Sequence, residues 1–197
     1  MGDGEIGLRE RKKERTRRAL LRAAYRLFEE KGYDRTTTSE IAHAAEVSPG
    51  TFFNYFGTKE ELVFGDRSEV IGAGLRVLAR REPGDAPADA LLRAFDAMQE
   101  VTRLDDPEDE FEQNRARLLF TVPTLYGAML QRTFAAQERM TAALRESFPH
   151  LDETTAAAMV GAFIGAAISA VRAAALRGDP LTEALVAAIR LVGDNFR

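Results

Sequence analysis

Two capping signals and a Ser-Pro dipeptide fall within the 26 residues from Thr37 to Leu62, and they restrict this chain more than any other stretch. Thr37 and Glu40 have the Thr-x-x-Glu spacing of a capping box, which starts a helix by satisfying orphan backbone N–H groups. Ile41, Ala42 and Ala45 then put apolar groups on one face of a short helix, and Val47 is expected to be the buried plug of the turn that follows. Ser48 is a good N-cap, and Pro49 suits the first helical position, where its missing N–H is not needed. A second short helix, Pro49 to Phe56, is stopped at Gly57. Thr58 and Glu61 repeat the capping-box spacing and launch a third helix. Helix, short turn and helix within about 20 residues is the helix-turn-helix pattern, whose second helix can lie in a DNA major groove. Spacing alone also fits an ordinary helical hairpin. The content of the second helix favours the first reading: Gly50, Thr51, Asn54, Tyr55 and Lys59 are polar or permissive groups beside Phe52, Phe53 and Phe56, in a helix too short to build its own core.

The flanking sequence is helical throughout. Met1 to Leu8, with three glycines among them, reads as a disordered leader. Arg9 to Lys31 forms one helix, because Ala19, Leu20, Ala23, Ala24, Leu27 and Phe28 share one face and Gly32 can cap its end. Lys59 to about Arg81 continues as a single helix, weakened at Gly72 and Gly74 unless close packing needs them. Further helices are expected over Ala88–Arg103, Glu108–Val122 and Thr124–Phe148, with breaks at 82–87, 104–107 and Pro123. Pro149 then stops the chain, Asp152 caps a helix to about Arg177, Gly178 ends it, and Leu181–Phe196 is the last helix. No strand pattern or repeat competes, so the expectation is an all-α fold of about nine helices. Residues 9–65 would form a three-helix helix-turn-helix domain and residues 66–197 a helical ligand-binding and dimerisation domain.

Composition narrows the function. With no cysteine among 197 residues, disulfides, thiol catalysis and Cys-ligated metals are excluded, and His43 and His150 do not make a metal site. No cofactor is expected. The charged N-terminus carries no secretory signal, and the apolar run Ala156–Val171, rich in Ala and Gly, reads as a packed helix and not a membrane span. The net charge of −4 is uneven: Arg9 to Arg26 holds nine basic residues against two acidic, whereas beyond Gly65 there are 15 basic against 20 acidic. Basic charge therefore sits beside the helix-turn-helix, as DNA binding requires. Arg11, Lys12 and Arg15 lead this run and are candidate phosphate or minor-groove contacts, although a charge run is usually a solvated helix face.

The segment VSPGTFFNYFGTKEEL, preceded by TTTSEIAHAA and by a basic amphipathic helix, resembles the DNA-binding domain of TetR-family transcriptional regulators over roughly Arg11 to Phe64. Three positions depart from the family pattern. Glu46 stands where Gly is usual, so a non-Gly residue is expected in a left-handed conformation at a cost of about 1 kcal/mol. Phe53 replaces a common Tyr, and Thr38 replaces a usual Val or Met.

The resemblance implies a cytoplasmic, ligand-responsive regulator, most simply a repressor, that binds a near-palindromic double-stranded operator as a homodimer. It places Thr37 on a backbone phosphate, counts Ser48 among the DNA-binding residues, and turns Pro49, Gly50, Phe53 and Asn54 towards the groove. There Asn54 can bond adenine and Phe53 or Pro49 can touch a thymine methyl. Thr51, Tyr55 and Lys59 would clamp phosphates and set register. It further implies a dimer through the last two helices, with Gly161, Gly165, Ile168, Leu185, Ile189 and Val192 as candidates. A small-molecule pocket in the middle helices is implied as well. Its candidate walls are Phe95, Met98, Phe120, Met129, Phe134 and Phe163, and its candidate polar contacts Gln99, Asn114, Arg117 and Tyr126. Phe64-Gly65-Asp66 after TFFNYF resembles members grouped with acyl-CoA-like ligand-binding regulators, which points to an apolar effector. Two other classes compete with this reading: a helical binding or interaction protein that does not use DNA, and a helical enzyme. The enzyme lacks a convergent acid, base, nucleophile or metal set; the acidic cluster Asp106, Glu108, Asp109 and Glu110 reads as a solvated helix start.

Overall fold

The computed structural model describes residues 3–65, 67–80, 84–105 and 111–196, and divides the chain into two compact units, Met1–Gly65 and Asp66–Arg197. Among the described residues there are ten helices and no strand.

The first unit holds α1 (Asp3–Lys31), α2 (Thr38–Ala44), α3 (Pro49–Tyr55) and α4 (Glu61–Phe64). α1 buries Leu20, Leu21, Ala24, Tyr25 and Phe28; Ile41 and Ala42 of α2, Phe52 and Phe56, and Leu62 and Val63 of α4 are buried in the same unit. Phe28 lies between two rings, 5.8 Å from Tyr25 and 5.0 Å from Tyr33. Gly32, at φ 86°, ends α1 as expected. Behind it Thr36, 1% exposed, donates its hydroxyl to the Gly32 carbonyl at 2.9 Å. The expected leader is corrected: α1 already begins at Asp3, since a long helix extends from an established nucleus at little cost.

The expected continuous helix from Lys59 is also corrected. It stops at Phe64, because Gly65 takes φ 60° and ψ −177°, a conformation open essentially to glycine alone. This division is why the described residues hold ten helices instead of nine.

The second unit holds α5 (Ser68–Leu78), α6 (Pro87–Asp105), α7 (Glu112–Thr121), α8 (Pro123–Ser147), α9 (Glu153–Arg177) and α10 (Leu181–Asn195). α6 runs two residues past the expected end at Arg103, while residues 106–110, with the acidic cluster and the expected start of the next helix, lie outside the described residues. Its main core joins Leu78, Leu91, Phe95, Met140, Leu144, Phe148, Val160, Phe163 and Ile189. Asp152 caps α9 by accepting the Thr155 N–H at 2.9 Å, and Gly178 ends it in the left-handed conformation, as read from the sequence.

Two glycines mark close helix contacts. A Cβ on Gly74 would meet Met98 Sδ at 2.8 Å, and one on Gly193 would meet both Leu92 Cδ atoms at 2.7 Å. Close packing of α5 and α10 on α6 thus explains glycine there. Gly193→Ala should lower stability by about 1–2 kcal/mol in urea denaturation, overpacking outweighing the ~1 kcal/mol gain in helix propensity. A variant more stable than the parent would mean that Leu92 swings clear.

Candidate nucleic-acid interface

The interface candidate is built by three caps. At the first, Thr37 Oγ1 accepts the Glu40 N–H at 3.3 Å while Glu40 accepts the Thr37 N–H at 2.9 Å, a complete capping box. Glu40 is also ion-paired with Lys31 at the end of α1. That pair, with the Thr37 hydroxyl and N–H, holds its carboxyl down at about 2, so the cap stays charged at ordinary pH. The Thr37 hydroxyl donates to Glu40 at 2.7 Å. A phosphate contact by that hydroxyl therefore competes with the cap.

The turn after α2 is closed by backbone bonds from Glu46 N to His43 O (3.0 Å) and from Val47 N to Ala42 O (2.9 Å). Glu46 stands at φ 58°, the left-handed conformation expected for it. Val47 is half-buried, less completely than a plug would be, and His43 is exposed. At the second cap Ser48 accepts the Thr51 N–H at 3.0 Å, and Pro49 occupies the first turn. The third differs from its expected form: Thr58 accepts the Glu61 N–H at 3.4 Å, but the Glu61 carboxylate reaches one residue further, to the Gly57 N–H at 2.7 Å.

α3 is oriented by its two inward phenylalanines. Phe52 is 0% and Phe56 5% exposed, whereas Phe53 is 55% exposed and packs edge-on against Phe52. Ser48, Pro49, Gly50, Phe53 and Asn54 are all exposed, and Thr51 and Tyr55 are half-buried at the margin. This surface combines an amide, a ring, a proline and a bare backbone position, a set able to contact base edges and methyl groups.

Lys59 is placed differently from a free phosphate clamp. Its Nζ donates to the carbonyls of Tyr33 (2.7 Å) and Thr36 (3.0 Å) and lies 4.1 Å from the Tyr33 ring centroid. Two of its three donors thus tie the segment after α1 to the start of α4, leaving one for a phosphate. Sequence reasoning missed this tether because the partners are more than 20 positions away. Arg11, Lys12 and Arg15 are exposed on α1, while Arg17 lies over the Phe56 ring at 5.9 Å.

The second unit does not gather its ten pocket candidates around one space. Phe95 and Phe163 stack at 5.5 Å in the core, with Met98 packed against it. Phe120 packs against a separate small cluster with Ala116 and Ala174. Gln99, Asn114 and Met129 are half-buried; Arg117, Tyr126 and Phe134 are exposed. The dimer candidates also separate. Gly165 is exposed with nothing within 4 Å of a built Cβ, and Gly161 and Ile168 are half-buried. On α10 the apolar stripe turns inward: Ile189 is 2% exposed, and Leu185 and Val192 pack on the same core. Its outward apolar residue is Leu191, 67% exposed.

Residues 20–64 match the family described as bacterial regulatory proteins, tetR family, and residues 85–197 match the MftR C-terminal domain. The HTH-type transcriptional regulator TcmR of Streptomyces glaucescens is 34% identical, the match covering 97% of this chain and 87% of that protein. The HTH-type transcriptional repressor Rv3405c of Mycobacterium tuberculosis is 41% identical over 40% of this chain and 39% of its own length. Among solved structures, SmeT, the repressor of the Stenotrophomonas maltophilia multidrug efflux pump SmeDEF, shares the fold at TM-score 0.56 and 18% identity, covering 89% of this chain and 87% of that one. The fatty acid degradation regulator FadR of Bacillus halodurans does so at TM-score 0.53 and 18% identity, over 89% and 93%.

The left-handed Glu46 gives a direct test of the turn. Glu46→Gly should stabilise the protein by about 0.5–1 kcal/mol in chemical denaturation, relief of the strained φ exceeding the added freedom of the unfolded chain. Destabilisation would show that the side chain makes contacts worth more than the strain.

Proposed function

Since the chain belongs to the TetR family of bacterial regulatory proteins and is a helix-turn-helix transcriptional regulator, we propose that it is a cytoplasmic repressor. It binds a near-palindromic operator as a homodimer, through residues 9–65, and leaves it when an apolar small molecule enters residues 66–197. One observation carries this reading: α3 is locked by buried Phe52 and Phe56 so that Pro49, Gly50, Phe53 and Asn54 project together. Ser48, Thr51, Tyr55, Thr37 and the remaining donor of Lys59 flank them as phosphate ligands, with Arg11, Lys12 and Arg15 adding charge. A seven-residue helix reads few base pairs, and two copies on symmetric half-sites supply the specificity that one lacks.

The dimer reading is supported by α9. By length and composition this helix could cross a membrane, with a mean hydropathy of 1.8 over its most apolar window, yet only 28% of that window is buried in the protomer. Ala158, Gly165, Ser169, Arg172 and Leu176 form its exposed stripe at spacings of three, four and seven, and Leu191 extends the apolar surface on α10. A second copy, not a bilayer, is the proposed cover. For the effector, the supporting precedent is the shared fold: SmeT is known in complex with triclosan.

Footprinting on the protein's own upstream region, repeated with acyl-CoAs and fatty acids, tests the whole reading. No protected site there or on genomic DNA fragments would overturn it. Within that assay Asn54→Ala should alter base preference at one position of each half-site, by about 1–3 kcal/mol. Lys59→Ala should weaken specific and random DNA alike and lower the slope of log affinity against log salt by about one unit. It should also lower the melting temperature, because the variant loses the tether to Tyr33 and Thr36. Unchanged salt dependence would remove the assigned phosphate role. Gly165→Glu should leave helical content intact, since the site is open within the protomer, and shift sedimentation from dimer to monomer. A dimer that persists would move the interface elsewhere.

A further inference from the structure

The first unit carries a strongly cationic groove that the reading surface on α3 does not include. Arg11, Arg15, Arg18, Arg22 and Arg26 recur on α1 at spacings of four, three, four and four, and all are exposed. They form one wall of an open groove of about 780 Å³. Its floor is shallow and small, from Ala19 and Ala23 of α1 to Ala44 and Ala45 at the end of α2. Five arginines face two carboxylates there, Glu14 and Glu46. Glu14 pairs with Arg18 at 3.0 Å, and Arg26 approaches Glu30 only at 3.9 Å, both on exposed surface where such pairs are weak.

Three features select the occupant. The excess of positive charge, all of it guanidinium, suits a polyanion whose oxygens can be held two at a time. No aromatic or large apolar side chain lines the groove, so it offers nothing to bury a small hydrophobic molecule. It is also continuous with the reading head, because Glu46 on its rim lies two residues before Ser48, the N-cap of α3. Arg11 to Arg26 covers about 22 Å of helix at 1.5 Å per residue. A DNA strand presents a phosphate about every 3.4 Å along its axis, so several fit that length.

We propose that this groove holds the sugar-phosphate backbone of the duplex flanking each half-site, so that α1 adds a track of phosphate contacts to the bases read by α3. The proposal rests on the DNA-binding reading above and extends it to Arg18, Arg22 and Arg26. The track supplies affinity and register but no sequence information. Glu46 lowers its net charge at the end nearest α3.

The test uses the full-length protein and a fluorescein-labelled 30-base-pair duplex of mixed sequence, titrated by anisotropy across a salt series. Arg22→Gln with Arg26→Gln should reduce the salt slope by about two units and low-salt affinity about tenfold. Arg22→Lys with Arg26→Lys should keep the slope, as charge is what is counted, and Glu46→Gln should raise low-salt affinity. Asn54→Ala should leave the slope unchanged. An unaltered slope in the double glutamine variant, with the parent binding normally, overturns the track and leaves the DNA-binding reading standing. A parent that binds no duplex removes both. A double variant that keeps its DNA slope but no longer binds labelled poly-glutamate, where the parent does, would give the groove to an acidic protein partner instead.

Discussion

The proposed reading surface depends on the complete burial of Phe52. Helices of seven residues are not stable on their own in water, so α2 and α3 exist only because each donates side chains to a core built mainly by α1. With Phe52 and Phe56 four positions apart and both inward, the rotation of α3 about its axis is fixed. The outward positions then follow from a period of 3.6 residues. Phe53, next in sequence to a fully buried side chain, is 55% exposed, among the most exposed aromatic rings of the described residues. The exposed face of α3 is a by-product of packing: the same helix cannot bury one ring without presenting the next.

Lys59 illustrates how stability and recognition share groups in so small a unit. A point charge with three donors can hold two carbonyls and still offer one bond outward. Tyr33 contributes twice, through its carbonyl and through its ring below the ammonium. Burial, followed by the nearby Glu60 carboxylate, raises the phenol of Tyr33 well above its ordinary range, so it remains neutral beside the cation. Any change at position 59 therefore alters the placement of the segment leading into α2 as well as a charge.

What could be read from residue order was whatever is local. The caps at Thr37, Ser48, Asp152 and Gly178 depend on neighbours within four positions, and each is present as expected; the left-handed Glu46 was implied by the family resemblance and is present too. Gly65 was not legible as a break, because glycine is tolerated inside helices and residue order does not fix its φ. The Lys59 tether and the inward turn of Ile189 were hidden for a related reason. An apolar stripe on α10 says that something covers it, but the protomer's own core and a second subunit offer the same chemistry. The arginine face of α1 was visible only in its first residues, since Arg22 and Arg26 lie among apolar positions and become one wall of a groove only when α2 is laid beside them.

The division of charge gives the two units different physical tasks. Arg9 to Arg26 is dense in guanidinium and ammonium groups, whereas the chain beyond Gly65 is net acidic. A polyanion is thereby attracted to the basic stretch of α1 and not to the net-acidic second unit. Affinity gained this way is insensitive to sequence and falls with salt, which makes it suited to holding a protein near DNA and unsuited to choosing a site. On the proposed reading, choice comes from the small surface of Pro49, Gly50, Phe53 and Asn54, where one amide and one ring contribute little discrimination alone. The proposed second subunit is therefore more than a means of covering α9: by doubling a weak choice on a strong nonspecific background, it turns attraction to DNA into recognition of one place on it.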